Sequence, residues 1–264
     1  MSKLLNNQRG FSVVGIIAII LVVVAVVGVG WWVWDKNNGD SAQKAAIENA
    51  QCDSEDKDIC KFLASWKATD SYTVESTSVN QGQTVKTTIK SESKDKTYVK
   101  FSGGMEYETI TINDTLYTKA GDTWYKKTLN PDEITDYQGD LDTNFPEPTN
   151  DGKNTYTKIG IEDCGDRKCF KYQVMDTDTP DVTQYLWFDT ENYQLHRVQI
   201  TNTDGSTFDS TFSYGKVNVD EPSPVKDLGE NQYIVPGQSE PTTMPGAGDD
   251  LNEEQLQDMT NQYQ

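Results

Sequence analysis

YTVESTSVNQGQTVKTTI, residues 72–89, decides the fold. Apolar and β-branched residues alternate with polar ones on both sides of Gln81-Gly82-Gln83. A period of two is the period of a strand, and a glycine turn between two such runs makes a hairpin. The same grammar continues outward. Short runs at Thr97–Phe101, Glu106–Ile112, Thr115–Lys119 and Thr123–Lys127 are separated by Gly103-Gly104, Asn113-Asp114 and Gly121-Asp122. Strands resume at Thr155–Ile161, Lys168–Met175, Thr183–Phe188, Gln194–Thr201 and Ser206–Tyr214. Phe170, Tyr172 and Val174 alternate cleanly, and Phe208, Phe212 and Tyr214 share one parity. These eleven runs, with few helices, imply a mainly β fold: an antiparallel curved sheet or half-barrel.

Before residue 71 the period is that of a helix. Ile59, Phe62, Leu63 and Trp66 fall at i, i+3, i+4 and i+7, one face of a helix over Ile59–Ala68 that packs on the sheet. Ser41–Ala50 is alanine-rich, with Asp40 or Ser41 as its cap. Pro131–Tyr137 opens with proline and acids, as short helices do, and 139–153 reads as a loop.

Further upstream, Phe11–Trp34 contains 24 residues without a charge. As a helix it spans about 36 Å, enough for a hydrocarbon core of about 30 Å. It is longer than the apolar core of a cleaved signal and ends in Trp31, Trp32 and Trp34, suited to the interface. Lys3 and Arg9 precede it, and Asp35 and Asp40 follow. That asymmetry implies a single-pass plasma-membrane protein with its C-terminal domain outside the cytoplasm. The expected organisation is a leader at 1–10, a transmembrane helix at 11–34, a juxtamembrane helical segment at 35–65, a β-rich external domain at 66–220 and a disordered acidic tail at 221–264. The tail holds five of the nine prolines, and nine acids against Lys226 alone.

The net charge is −19 and the pI about 4.3. So negative a surface repels phosphate and excludes a nucleic-acid partner. His196 is the one histidine, and no G-x-S-x-G, H-E-x-x-H, phosphate-loop or dinucleotide glycine pattern occurs. The expectation is no enzyme and no cofactor. Asp53-Ser-Glu-Asp-Lys-Asp58 places oxygens at alternate positions, as calcium loops do, but lacks the turn glycine and distal glutamate. A solvated loop is favoured, and no metal is expected.

Cys52, Cys60, Cys164 and Cys169 form two close pairs, and external placement favours disulfides Cys52–Cys60 and Cys164–Cys169. Zinc is the alternative, but C-x7-C and C-x4-C do not match a C-x2-C knuckle. Tyr98, Phe101, Tyr107, Tyr117, Trp124, Tyr172, Trp187, Phe208 and Phe212 are the aromatics placed to line an apolar ligand cavity, or simply to fill a core.

Two resemblances follow. Gln8-Arg9-Gly10-Phe11-Ser12-Val13-Val14 resembles the processing site of type IV pilins and pseudopilins, which implies leader cleavage between Gly10 and Phe11. That family carries glutamate at the fifth mature position, where Gly15 stands here, so filament assembly is not implied. Over about residues 64–222, Thr123-Trp124-Tyr125-Lys126, the run Gln184–Arg197 (QYLWFDTENYQLHR), Phe212-Ser213-Tyr214 and Val217–Pro222 resemble the lipoprotein-carrier (LolA-like) superfamily. The resemblance implies a curved sheet with helices over its concave side, holding acyl chains. The partners it implies are the membrane and lipid or lipoprotein. The other reading is a pilin-like or envelope protein-interaction module without a cavity.

Overall fold

A computed structural model of the chain describes residues 39–243, apart from 53, 68, 70, 94, 105, 131–153, 178, 230 and 231. The expected leader and transmembrane helix at 1–34, the Pro131–Tyr137 helix, the 139–153 loop and the last part of the tail lie outside the described residues. Among the described residues, no helix is long and apolar enough to cross a membrane.

Two helices come first, α1 (Gly39–Glu48) and α2 (Lys57–Lys67). Eleven strands follow: β1 (Tyr72–Asn80), β2 (Gln83–Ser93), β3 (Lys96–Ser102), β4 (Tyr107–Ile112), β5 (Thr115–Ala120), β6 (Thr123–Thr128), β7 (Asn154–Cys164), β8 (Arg167–Asp176), β9 (Val182–Asp189), β10 (Leu195–Asn202) and β11 (Thr207–Tyr214). Each corresponds to one of the runs read from the sequence. The β1–β2 turn is two residues, with Gln81 at φ 49° and Gly82 at φ 80° and Asn80 opposite Gln83. A turn with both central φ positive matches strand twist, which is why the glycine sits there.

Every neighbouring pair among these eleven strands is antiparallel, in the order β6-β5-β4-β3-β2-β1-β11-β10-β9-β8-β7. The chain thus builds outward from β1 in one direction, then returns to β1 through β11. The sheet is curved and does not close. Part of the stretch expected as a disordered tail joins it: β12 (Val225–Asp227) pairs in parallel with β6, Val225 opposite Trp124. Beyond it β13 (Gln232–Tyr233) and β14 (Thr242–Thr243) form a small separate ribbon. This segment has little apolar surface of its own. It is held by the unpaired backbone groups of a strand edge, as where Leu228 N–H donates to Lys126 O at 2.9 Å, and by Val225 packing in the cluster described below.

One core cluster lies between α2 and the concave face. Ile59, Phe62, Leu63 and Trp66 are all buried there, against Tyr72, Val74, Ile89, Phe101, Tyr172, Leu186, Phe188, Val198, Phe208 and Phe212. A second, smaller cluster lies on the other face: Ile110, Tyr117 and Val219, with Tyr98, Ile112, Trp124, Val217 and Val225 packed against it.

Candidate functional site: the concave face

The concave face is laid out by register. Phe212, Val74, Ile89, Val99, Thr109 and Thr118 stand opposite one another across six successive strands. The neighbouring row runs Ser210, Ser76, Thr87, Phe101 and Tyr107. The face is therefore apolar under α2 and rich in small hydroxyl residues at its centre, where Ser76 and Ser210 share a hydrogen bond of 2.6 Å between their hydroxyls.

The first helix turn of α2 is pinned at several points. Asp56 caps the helix, its Oδ1 accepting from Asp58 N–H at 2.9 Å. Its other oxygen accepts from the Tyr172 hydroxyl at 2.6 Å. Asp58 accepts from Lys158 Nζ at 2.8 Å and from the Tyr193 hydroxyl at 3.3 Å. Further along, Ser65 Oγ donates to Asn192 O at 3.2 Å and accepts from Gln43 Nε2 at 2.8 Å, which ties α1 in as well. Ring packing fixes the roll of the helix. Phe62 stacks on Phe188 at 4.6 Å, and Trp66 meets Phe212 edge-on at 5.6 Å.

The β9–β10 turn that receives the helix is organised by Asp189, which is 3 % exposed. Its Oδ1 accepts from Glu191 N–H at 2.6 Å and Asn192 N–H at 3.1 Å, and its Oδ2 from Arg167 at 3.2 Å. Burial alone would raise this carboxyl; the two backbone donors and Arg167 outweigh it and hold it below the usual carboxylate range. Burial outweighs the nearby Asp189 charge at His196 and lowers that imidazole.

The nine aromatics named from the sequence divide between the two faces. Phe101, Tyr107, Tyr172, Phe208 and Phe212 belong to the cluster around α2. Tyr98, Tyr117 and Trp124 belong to the cluster on the opposite face, covered by Val217, Val219 and Val225 of the C-terminal arm. Trp187 also faces away from α2. Its Nε1 donates to Glu162 at 2.9 Å, with Lys171 4.9 Å and Arg197 5.0 Å from its ring. Sequence reading passed over Val85 and Val99, which pack at the margin of the α2 cluster. Strand register beside Val74 and Ile89 was the signal that would have found them.

Both expected disulfides are formed, Cys52–Cys60 and Cys164–Cys169. A cleft of about 260 Å³ opens at the end of the sheet, lined by Lys100, Phe101, Tyr107, Glu108, Lys119 and Gln238 among others. In it Glu108 accepts from the Tyr98 hydroxyl at 3.0 Å and pairs with Lys119 at 3.2 Å.

No family model matches the chain, and no curated protein sequence matches it. Solved structures with partial likeness to it include LprF from Mycobacterium bovis, at 15% identity over 71% of this chain and 99% of that one, with a TM-score of 0.41. The LolA superfamily protein NE2245 from Nitrosomonas europaea shares 11% identity over 71% of this chain and 96% of its own, at 0.27. The MucA/MucB complex from Pseudomonas aeruginosa shares 12% identity over 65% of this chain and 68% of the matched chain, at 0.33. At TM-scores this low the functional reading stands on the geometry of the chain itself. That geometry defines a mainly β protein, an unclosed curved antiparallel sheet holding a helix in its concavity.

Proposed function

We propose that this is a membrane-anchored, non-enzymatic protein whose domain lies outside the cytoplasm and binds lipid or another hydrophobic envelope component on the concave face. The supporting observation is a mismatch of size. Twelve strands at about 4.8 Å spacing make an arc of roughly 53 Å. Among the described residues, the helix with residues buried in the main core is α2, with 11 residues, a rod about 16 Å long and about 10 Å across, and Ile47 of α1 packs beside it. Its cluster centres on β1, β2 and β8–β11, and the apolar residues at its margin, Val85, Val99 and Tyr107, are only partly buried, while Thr109 and Thr118 farther along the face are buried. Apolar surface of this kind is favourably covered by a ligand's hydrocarbon chains.

The test is native mass spectrometry of the full chain released from membranes in mild detergent, followed by titration with a long-chain fatty acid and with phospholipid. Co-purifying lipid and a saturable response support the reading. Tyr107→Glu, at a half-buried position on the margin of the cluster, should abolish the response while circular dichroism stays unchanged. A wild-type chain with neither bound lipid nor a saturable response overturns it.

A protein-interaction module is the second reading. It is favoured by Ile159 and Ile161 on the edge strand β7, which are about half exposed.

A further inference from the structure

We propose that the tip of the β7–β8 hairpin is a latent site for a soft divalent cation such as zinc, formed by Cys164, Cys169 and His196 when the disulfide is reduced. The two sulfurs and an imidazole nitrogen all lie within 4.8 Å of one another. Sequence spacing hid this set, because the third donor comes from β10, on the far side of β9. Cys169 is fully buried, and His196 Nε2 is buried with no hydrogen-bond partner among the described residues. A buried ring nitrogen in that state ordinarily finds a donor, an acceptor or a metal.

The chemistry balances. A dithiol, protein or small-molecule, delivers two electrons and two hydrogens to the disulfide and leaves as its own disulfide; Cys164 and Cys169 become thiols. Binding of the cation displaces both thiol protons, and the two thiolates match its charge. Zinc–sulfur bonds of about 2.3 Å and zinc–nitrogen bonds of about 2.0 Å place tetrahedral donors roughly 3.5 to 3.8 Å apart. The sulfurs must therefore separate and the imidazole close in slightly, movements within reach of a hairpin tip turning on Gly165-Asp166. Asp189 Oδ2 lies 4.0 Å from His196 Nε2 and is shared with Arg167.

The experiment uses the full chain carrying Cys52→Ser and Cys60→Ser, reduced with dithiothreitol, desalted without oxygen and titrated with cobalt(II). One equivalent should bind with thiolate-to-cobalt charge-transfer absorption and tetrahedral d–d bands, and zinc should displace it. The oxidised protein should bind none. Adding His196→Ala should weaken binding at least about tenfold and alter the d–d bands. Absence of the bands, indifference to His196→Ala, or collapse of the near-ultraviolet circular dichroism on reduction overturns the proposal. Should the background variant fail to fold, the reduced native chain must bind one ion more than the reduced Cys164→Ser, Cys169→Ser variant; equal binding overturns it.

Discussion

The Tyr172 hydroxyl donates to Asp56 Oδ2 at 2.6 Å, joining residues 116 apart in sequence. Tyr172 is fully buried on β8, and Asp56 caps α2, so one bond fixes the helix entry to the sheet. Removing the hydroxyl as Tyr172→Phe should cost about 1.5 to 3 kcal/mol, the range for a bond to a charged acceptor. Asp56→Ala should cost at least as much, because it also removes the cap, by about 1 kcal/mol. A double-mutant cycle in denaturant should show the two effects to be less than additive. Additivity would show that the bond does not couple helix to sheet.

The same tyrosine sets an alkaline limit. Burial, then its bond to Asp56, raises Tyr172; burial raises Tyr72 and Tyr214, and pushes Tyr98 and Tyr117 up to about 12. A phenol raised on folding contributes stability that is complete below its unfolded pKa of about 10 and is lost as pH rises toward the folded value. Stability should therefore fall between about pH 10 and 12, with a shallower slope in Tyr172→Phe. Identical slopes in denaturant titrations at each pH would refute the assignment.

Gly103 tests backbone closeness. Its φ is 120°, and a Cβ there would lie 2.2 Å from Thr84 O, an immovable backbone atom. At Gly82, with φ 80°, a Cβ would meet no atom of the described residues within 4 Å. Gly82→Ala should cost only the left-handed penalty, about 1 to 2 kcal/mol, and Gly103→Ala distinctly more. Thermal unfolding midpoints in the reverse order would contradict the contact.

These cases show what was legible and what was not. The eleven strands and the α2 face were readable because alternation, glycine turns and the i, i+3, i+4, i+7 spacing are local signals. The direction of Trp187 was not. In Tyr185-Leu186-Trp187-Phe188 every residue is large and apolar, so parity carried no information about which alternate residues face α2. Trp124 escaped for another reason: its face is covered from residues 217–225, and that arm owes its place to distant partners. The Val219 N–H donates to Glu92 at 2.8 Å, and Glu221 accepts from the Tyr117 hydroxyl at 2.8 Å. Such pairing cannot be seen in a stretch of acids and prolines.

The arm accordingly behaves as part of the sheet. Val219 is 4 % exposed against Ile110 and Tyr117. Val219→Ala should destabilise by about 1 to 2 kcal/mol through lost burial and the cavity left behind. Hydrogen exchange of β5 and β6 amides should quicken more than that of β8 and β9. Uniform quickening, or none, would show that the arm only rests on the surface.

The last expectation separates the two faces as ligand sites. Trp66 lies in the concave core, edge-on to Phe212 and 6.0 Å from Tyr72, whereas Trp124 and Trp187 face the other way. A hydrocarbon chain entering the concavity changes the surroundings of Trp66 first. In a chain with Trp31, Trp32 and Trp34 replaced by Phe, fatty acid or phospholipid should shift the tryptophan emission. The shift should persist in Trp124→Phe and in Trp187→Phe, and vanish in Trp66→Phe. Trp66 fills the core beneath α2, so Trp66→Phe must first be shown folded by near-ultraviolet circular dichroism. Binding of that variant is then checked separately by native mass spectrometry, which needs no fluorophore. Retention of the shift in Trp66→Phe, with its loss in Trp124→Phe or Trp187→Phe, would move the ligand to the opposite face and refute the concave-face site.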